Sequence, residues 1–293
     1  MEGRGYIDLH THGFGTYETR NADPDDILKL AELQGKAGTV AILPTIYSGP
    51  LNEMRTDMEA VRRAMEIQRT QISARKGGSP ARILGVHLEG PFLNPVRSGA
   101  LNKASFMRPS VTSLRKLTDG YEEIIRIVTV APELPGSLSV IEKCFEAGIK
   151  VNMGHSDATC REAGEGKRAG ATGITHIFNA MRPFHHREPG IAGFGLMDND
   201  MYVEVIADGI HLHRETVKLI FRAKTHDRVL LVSDSVKGAR RTGKPVRSRR
   251  GILAGSGIVL ADSAAFLREI GISAARAASA GTSNPERYLL SGP

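Results

Sequence analysis

Six side chains able to hold a metal ion or carry a proton stand where short apolar runs give way to loops: His10, His12, Glu89, His155, His176 and Asp234. In Gly85-Val86-His87-Leu88-Glu89-Gly90-Pro91, Glu89 follows an apolar run begun at Arg82-Ile83-Leu84 and precedes a turn. In Asp8-Leu9-His10-Thr11-His12 the two imidazoles are two residues apart, so an extended chain points both to one side. Imidazole and carboxylate are donors that zinc, iron, nickel, cobalt and manganese accept. A bound cation can lower the pKa of water from about 15.7 to about 7. A carboxylate such as Asp234 can then take the nucleophile's proton and hand it to the leaving group. A lone histidine at a strand end is more often structural than a ligand, and it is the whole set that points to a metal centre. His87, His185, His186, His213 and His226 fall outside the pattern and read as structural or surface histidines.

Such a set needs elements that bring its members to one place. The apolar runs predict strands over residues 6–13, 39–45, 83–89, 124–130, 149–156, 173–178, 202–207 and 228–234. Between them lie helical patterns over 25–36, 51–74, 113–121, 138–147, 160–169 and 215–224, with two more, 263–269 and 273–280, closing the chain. Asp23-Pro24 supplies the cap and first residue of the first helix. Strands alternating with helices imply a parallel sheet, and eight of them an α/β fold of the (β/α)8 TIM-barrel type. In such a barrel the loops after the strands line one common mouth, where chemistry is done. The chain has 293 residues, close to the roughly 250 of a typical barrel, so residues 1–293 read as one barrel domain. The stretches 91–109 and 179–195 read as loops longer than a compact fold needs, which hints at function.

Composition narrows the partners. The chain is 41% hydrophobic, enough for a sizeable core, and no apolar run approaches the roughly 18–20 residues of a membrane span. No apolar segment follows Met1-Glu2-Gly3-Arg4-Gly5, so no signal peptide is expected. The two cysteines, Cys144 and Cys160, suggest no disulfide framework, and a cytoplasmic location is the expectation. Residues 237–250 hold seven basic residues and no acidic one, an excess equal to the formal net charge of +7. The basicity is therefore local. That segment has no interleaved aromatic to stack on bases, so neither nucleic acid nor membrane is expected as a partner. It reads as a solvated loop over the site.

A longer set of motifs, in order along most of the chain, resembles the amidohydrolase superfamily and within it the N-acetylglucosamine-6-phosphate deacetylase family. They are His87-Leu88-Glu89-Gly90-Pro91-Phe92, Ala131-Pro132-Glu133, Gly154-His155-Ser156, Thr175-His176-Ile177-Phe178-Asn179-Ala180-Met181, Arg187-Glu188-Pro189-Gly190, Ala207-Asp208-Gly209-Ile210-His211 and Leu253-Ala254-Gly255-Ser256. The resemblance implies hydrolysis of the acetamide of an N-acetyl amino-sugar 6-phosphate, with release of acetate. It implies Glu89, His155 and His176 as the main metal site, His10 and His12 as support for a second metal, and Asp234 as the catalytic carboxylate and a metal contact. The cofactor would be a divalent ion, zinc or iron, one or two per subunit. Ala100, Asn179, Ala180, His211 and the Leu253-Ala254-Gly255 turn match substrate-contacting positions. Arg187 matches a phosphate-binding arginine that relatives can supply from the neighbouring subunit of a homodimer. A guanidinium suits that task because its fork bonds two phosphate oxygens at once.

Two departures accompany the resemblance. The family's small β-sandwich has no counterpart in the sequence, and Leu101 stands where the family usually has a histidine. If the loop shifts register, Asn102 would supply the donor that Leu101 lacks. The alternatives are a related amidohydrolase acting on another N-acetylated amino-sugar phosphate, such as the galactosamine epimer, and a non-catalytic phosphosugar-binding protein. Retention of Asp234 together with every ligand argues against the second.

Overall fold

A computed structural model describes residues 5–72, 80–240, 244–248 and 251–292. Eight parallel strands follow one another around the sheet in chain order: β1 (Tyr6–Thr11), β2 (Thr39–Tyr47), β3 (Val86–Glu89), β4 (Ile125–Val130), β5 (Lys150–Met153), β6 (Gly173–Ile174), β7 (Tyr202–Val205) and β8 (Val229–Leu231). A short strand, Arg82–Ile83, precedes β3 and pairs with β2. The ring closes between β8 and β1 just beyond the ladder. Asp234 N–H donates to the His10 carbonyl (2.8 Å), His12 N–H donates to that of Ser235 (2.8 Å), and Thr11 bridges Ser235. The seam thus runs between candidate site residues.

Helices cover the outside. α1 (Pro24–Lys36) starts with a capping box in which Asp23 accepts from Asp26 N–H and Asp26 reaches back, with Pro24 in the first turn where its missing N–H costs nothing. α2 (Leu51–Ile72), α3 (Val111–Thr118), α4 (Ser137–Glu146), α5 (Cys160–Arg168), α6 (Gly190–Met197), α7 (Arg214–Ala223), α8 (Leu260–Glu269), α9 (Ala274–Gly281) and α10 (Ser283–Leu290) follow. Ile27 and Leu30 of α1 and Met58 and Val61 of α2 belong to the core that also buries Ile42 and Leu88 of the strands. A second, inner cluster holds Leu9, Leu43, Ile127, Tyr202 and Leu230 together with Tyr288 of α10. Along β2 and β7, neighbours such as Ile42 and Leu43, or Val203 and Tyr202, divide between the two clusters, as period-2 alternation requires.

β1 departs from that alternation. Its register with β2 slips between Asp8 and Thr11. There Leu9 packs into the inner cluster while the adjacent His10 reaches Glu204 of β7. An irregularity of this kind re-aims a side chain, and it stands beside the site, where bulges are common.

The structure corrects several sequence expectations. The stretch 179–195 is not all loop, because α6 begins at Gly190. Its glycines disguise the helix, yet they permit close packing: a Cβ on Gly193 would lie 2.2 Å from that of Pro189, and one on Gly195 2.7 Å from Ile174. The closing helices are three, with α10 the addition. The strands expected to run to Ser156, Phe178 and Asp234 end earlier, because the chain turns into the left-handed region at His155 (φ 47°), His176 (φ 26°) and Asp234 (φ 47°). The basic segment is not a plain loop where it is described. Val246–Arg247 pairs antiparallel with Leu253–Gly255, and Lys237 pairs with Glu18 at 3.0 Å. Arg241, Arg249 and Arg250, and Ala74 at the expected end of the second helix, lie outside the described residues. Among the described residues no helix is long and apolar enough to cross a membrane.

Candidate active site

The six side chains meet at the mouth of the barrel. Glu89, at the end of β3, stands between two groups. Its Oε1 lies 3.0 Å from His155 Nε2 and 3.1 Å from His176 Nε2, and its Oε2 lies 3.3 Å from His12 Nε2. His10 Nε2 and His12 Nε2 are 3.2 Å apart, with Asp234 Oδ1 at 3.6 and 3.5 Å from them. Glu89, His155 and His176 form one set of convergent donors, and His10, His12 and Asp234 another.

The far sides of the rings decide what the near sides can do. His12 Nδ1 lies 3.0 Å from the Thr45 carbonyl and His155 Nδ1 2.9 Å from that of Arg97. A carbonyl only accepts, so each Nδ1 carries the hydrogen, and in a neutral ring Nε2 is left as a bare lone pair. His10 does the same toward Glu204, with Nδ1 3.0 Å from Oε2. Burial drives the His10 imidazole well below its usual pKa, which keeps it neutral. Lone pairs of nitrogen therefore converge on carboxylate oxygens that also only accept. Such an arrangement repels itself unless protons or a cation sit among the atoms, and the donor set fits a divalent metal. His176 Nδ1 is buried and has no partner.

The two carboxylates differ. With protons instead of a metal on the facing Nε2 atoms, burial pushes Glu89 up, but the charge of His155 and bonds from His12, His155 and His176 outweigh it and hold Glu89 well below the usual range. Burial drives Asp234 well above that range, and the charges of Glu89, Glu204 and Asp8 push it the same way. Without a cation these effects favour the protonated form of Asp234. Its side chain is 13% exposed, against 0% for His10 and 2% for His12, so it faces the cleft most openly of these three.

That cleft is lined by Ala100, Leu101, Asn179, Ala180, His211 and the Leu253–Gly255 strand, as well as by His12, Glu89, His155, His176 and Asp234. His211 is held from behind by Asp208, with Nδ1 2.7 Å from Oδ2. Arg187 does not line it: the residue is exposed on the loop before α6, its Nη1 3.1 Å from His186 Nε2. Asn102 is exposed as well, and its side chain accepts from Ala104 N–H (3.2 Å), so it caps its own turn instead of replacing the donor absent at Leu101. His87 is structural. It donates from Nδ1 to the Leu9 carbonyl (3.0 Å), and its Nε2 meets Thr129 Oγ1 at 2.8 Å.

Four site residues escaped the sequence reading. Tyr47 ends β2 in register with Glu89, lines the cleft and stacks on His12 at 3.8 Å between ring centres. Running the second strand two residues further would have found it. Glu204 is a fully buried acid within an apolar strand, a signal that was available. Asp8 accepts from the backbone of His10 and Ser233, both at 3.2 Å, and so ties the seam. Asp208 was visible only as part of a motif.

Residues 5–289 match the amidohydrolase family. The chain belongs to that family. Among amidohydrolases it is 31% identical to an N-acetylgalactosamine-6-phosphate deacetylase of Escherichia coli O157:H7, over 97% of this chain and 77% of that one. It is 36% identical to an N-acetylglucosamine-6-phosphate deacetylase of Bacillus subtilis (strain 168), over 80% of this chain and 57% of that one. The chain thus spans little more than half of the Bacillus relative's length. The N-acetylglucosamine-6-phosphate deacetylase of Thermotoga maritima superposes with a TM-score of 0.85 at 29% identity, covering 98% of this chain and 78% of the other. A mutant of the corresponding Mycobacterium smegmatis enzyme, in complex with N-acetyl-D-glucosamine-6-phosphate, superposes at 0.84 with 26% identity, over 98% of this chain and 77% of that one.

Proposed function

We propose that this amidohydrolase is a metal-dependent deacetylase that cleaves N-acetylglucosamine 6-phosphate to acetate and glucosamine 6-phosphate. The observation that carries the proposal is the convergence of bare histidine nitrogens and two carboxylates at the floor of a cleft. Glu89, His155 and His176 hold the main ion, and His10 and His12 with Asp234 a second. Zinc or iron suits this set. A bound ion supplies Lewis acidity, polarising the amide carbonyl and making water nucleophilic near neutral pH. Asp234 then moves the proton. It accepts it from water on a carboxylate oxygen and passes it to the amide nitrogen as the C–N bond breaks.

The cleft residues Ala100, Asn179, Ala180, His211 and Leu253-Ala254-Gly255 orient the sugar. Arg187 lies away from its own chain's cleft, which supports a homodimer in which it serves the neighbouring subunit's phosphate site. Two free cysteines suit a cytoplasmic enzyme. A second substrate, the galactosamine epimer, is favoured by the E. coli relative and by Leu101 in the cleft. The test is acetate release from both N-acetylated sugar phosphates, with metal content measured on the same sample. Fully metal-loaded protein that releases acetate from neither sugar overturns the proposal.

A further inference from the structure

Glu204 lies in the middle of β7 with no exposure, below the mouth of the barrel, and both of its oxygens are committed. Oε2 is 3.0 Å from His10 Nδ1 and also accepts from His176 N–H at 3.3 Å. Oε1 accepts from Asn152 Nδ2 at 2.7 Å. Asn152 in turn accepts at Oδ1 from the Tyr288 hydroxyl (2.5 Å), which lies 3.1 Å from Thr172 Oγ1. Asn152 and Tyr288 are fully buried as well.

With Glu204 ionised, the direction of every bond in this chain is set. The Tyr288 hydroxyl gives its one hydrogen to Asn152 Oδ1, so it accepts from Thr172. Asn152 therefore presents its amide hydrogens to Glu204. The carboxylate has only acceptors to offer His10, so His10 Nδ1 must donate. A neutral imidazole with its hydrogen on Nδ1 has its lone pair on Nε2, the nitrogen that faces His12 and Asp234. Were the hydrogen on Nε2, His10 could bind no cation there. The protein thus settles the tautomer of His10 from inside the barrel, through a line of side chains that starts on the last helix.

We propose that Glu204 is a positioning residue that fixes the metal-binding tautomer of His10, with Asn152 and Tyr288 holding Glu204 in place. This rests on the proposed role of His10 and His12 in holding a second ion. Carboxylates behind ligating histidines typically change metal affinity by ~10–100-fold when altered. Glutamine at position 204 keeps the shape and an accepting oxygen but removes the charge that raises the basicity of His10.

The experiment uses zinc and the full chain, comparing the parent with Glu204→Gln, His10→Ala and the double variant. Zinc titration against a chelator counts the ions and gives the affinity of each. The parent should take up a second equivalent that His10→Ala lacks. Glu204→Gln should keep the first ion and bind the second ~10–100-fold more weakly. In the His10→Ala background, Glu204→Gln should add nothing. Nitrogen-15 NMR of the zinc-loaded parent should show His10, identified by its loss in His10→Ala, with its hydrogen on Nδ1. A second zinc bound by Glu204→Gln with the parent's affinity overturns the proposal and leaves the two-metal reading standing, as does a hydrogen on Nε2 of His10. A parent that binds no more zinc than His10→Ala overturns the two-metal reading and this proposal with it. If Glu204→Gln fails to fold, Asn152→Ala should weaken the second ion in the same direction. Unchanged affinity in that variant, too, overturns the proposal.

Discussion

Replacing Asp234 by asparagine removes proton transfer, and the negative charge offered to the proposed second ion, while leaving the backbone and the Glu89, His155 and His176 set in place. The backbone there is left-handed (φ 47°), and asparagine is among the few residues that tolerate this. The seam survives, since the bonds from Asp234 N–H to the His10 carbonyl and from Ser256 N–H to the Asp234 carbonyl, both 2.8 Å, are backbone bonds. The side chain keeps its volume and one accepting oxygen. What it loses is the capacity to take a proton and give it back, and with it the anionic donor to the second ion. General acid–base groups contribute roughly 100- to 10,000-fold, about 2.7–5.4 kcal/mol of barrier. Turnover of N-acetylglucosamine 6-phosphate should therefore drop by at least ~100-fold. KM should change little, because the substrate-lining residues are untouched.

The assay is steady-state acetate release, with elemental analysis of the same preparation. The main-site ion should stay, because Glu89, His155 and His176 converge without Asp234. Near-normal turnover would show that another group moves the proton. Loss of the main-site metal would show that Asp234 holds the centre together, and the reasoning from two sets of donors would be wrong.

Glu89→Gln removes the charge on which three histidine nitrogens converge, and both ions should be depleted by elemental analysis, so full occupancy would refute the assignment. Zinc added to metal-free protein near pH 7 should release protons, because burial biases Asp234 toward its protonated form without a cation and the ion competes with that proton; calorimetry in buffers of different ionisation enthalpy reads the number, and zero release would contradict the raised carboxyl. Arg187→Ala should weaken use of the 6-phosphorylated sugar by about 2–3 kcal/mol and barely affect the unphosphorylated one. Because Arg187 lies outside its own cleft, mixing Arg187→Ala with Asp234→Asn subunits should restore activity, and no recovery would argue against service across a dimer. Leu101→His should raise kcat/KM on the glucosamine or galactosamine phosphate, by about 0.5–1.5 kcal/mol for one ordinary hydrogen bond, while Asn102→Ala leaves both unchanged; a loss in Asn102→Ala would mean the loop sits differently with substrate.

The barrel was legible because its signal is coarse. Eight apolar runs alternating with helical patterns survive errors of a few residues at each boundary, and α1 could be placed closely because Asp23-Pro24 is a local capping device. Glu89 and the histidines were legible because strand ends in this architecture share a mouth. What sequence reasoning missed depends on three-dimensional packing. The glycines of α6 read as loop, and only the neighbouring Pro189 and Ile174 explain why a helix needs them. Tyr288 looks like an ordinary aromatic near the end of the chain until it is seen donating to Asn152 inside the barrel. Glu204 had the clearest overlooked signal, since an acid in the middle of an apolar strand must find partners or be costly to bury.

The deepest gap concerns how the ligands are aimed. Simple alternation would send His155, His176 and Asp234 along straight strands, yet all three sit where the ladder has stopped and the chain has turned left-handed. A non-glycine residue there costs roughly 1–2 kcal/mol, so three such turns together consume a sizeable share of a typical domain's net stability. Each is pinned by a backbone hydrogen bond. Asn94 N–H donates to the His155 carbonyl (2.9 Å), Asn179 N–H to that of His176 (3.0 Å), and Asp234 N–H to that of His10 (2.8 Å). Two of these partners come from the stretches 91–109 and 179–195, which looked too long for a compact barrel. Asn94 reaches His155 from the loop after β3, whereas Asn179 closes a turn three residues on from His176. The loops that line the cleft thus also hold two of the turns that aim the proposed metal ligands, and a change in one should be felt in the other.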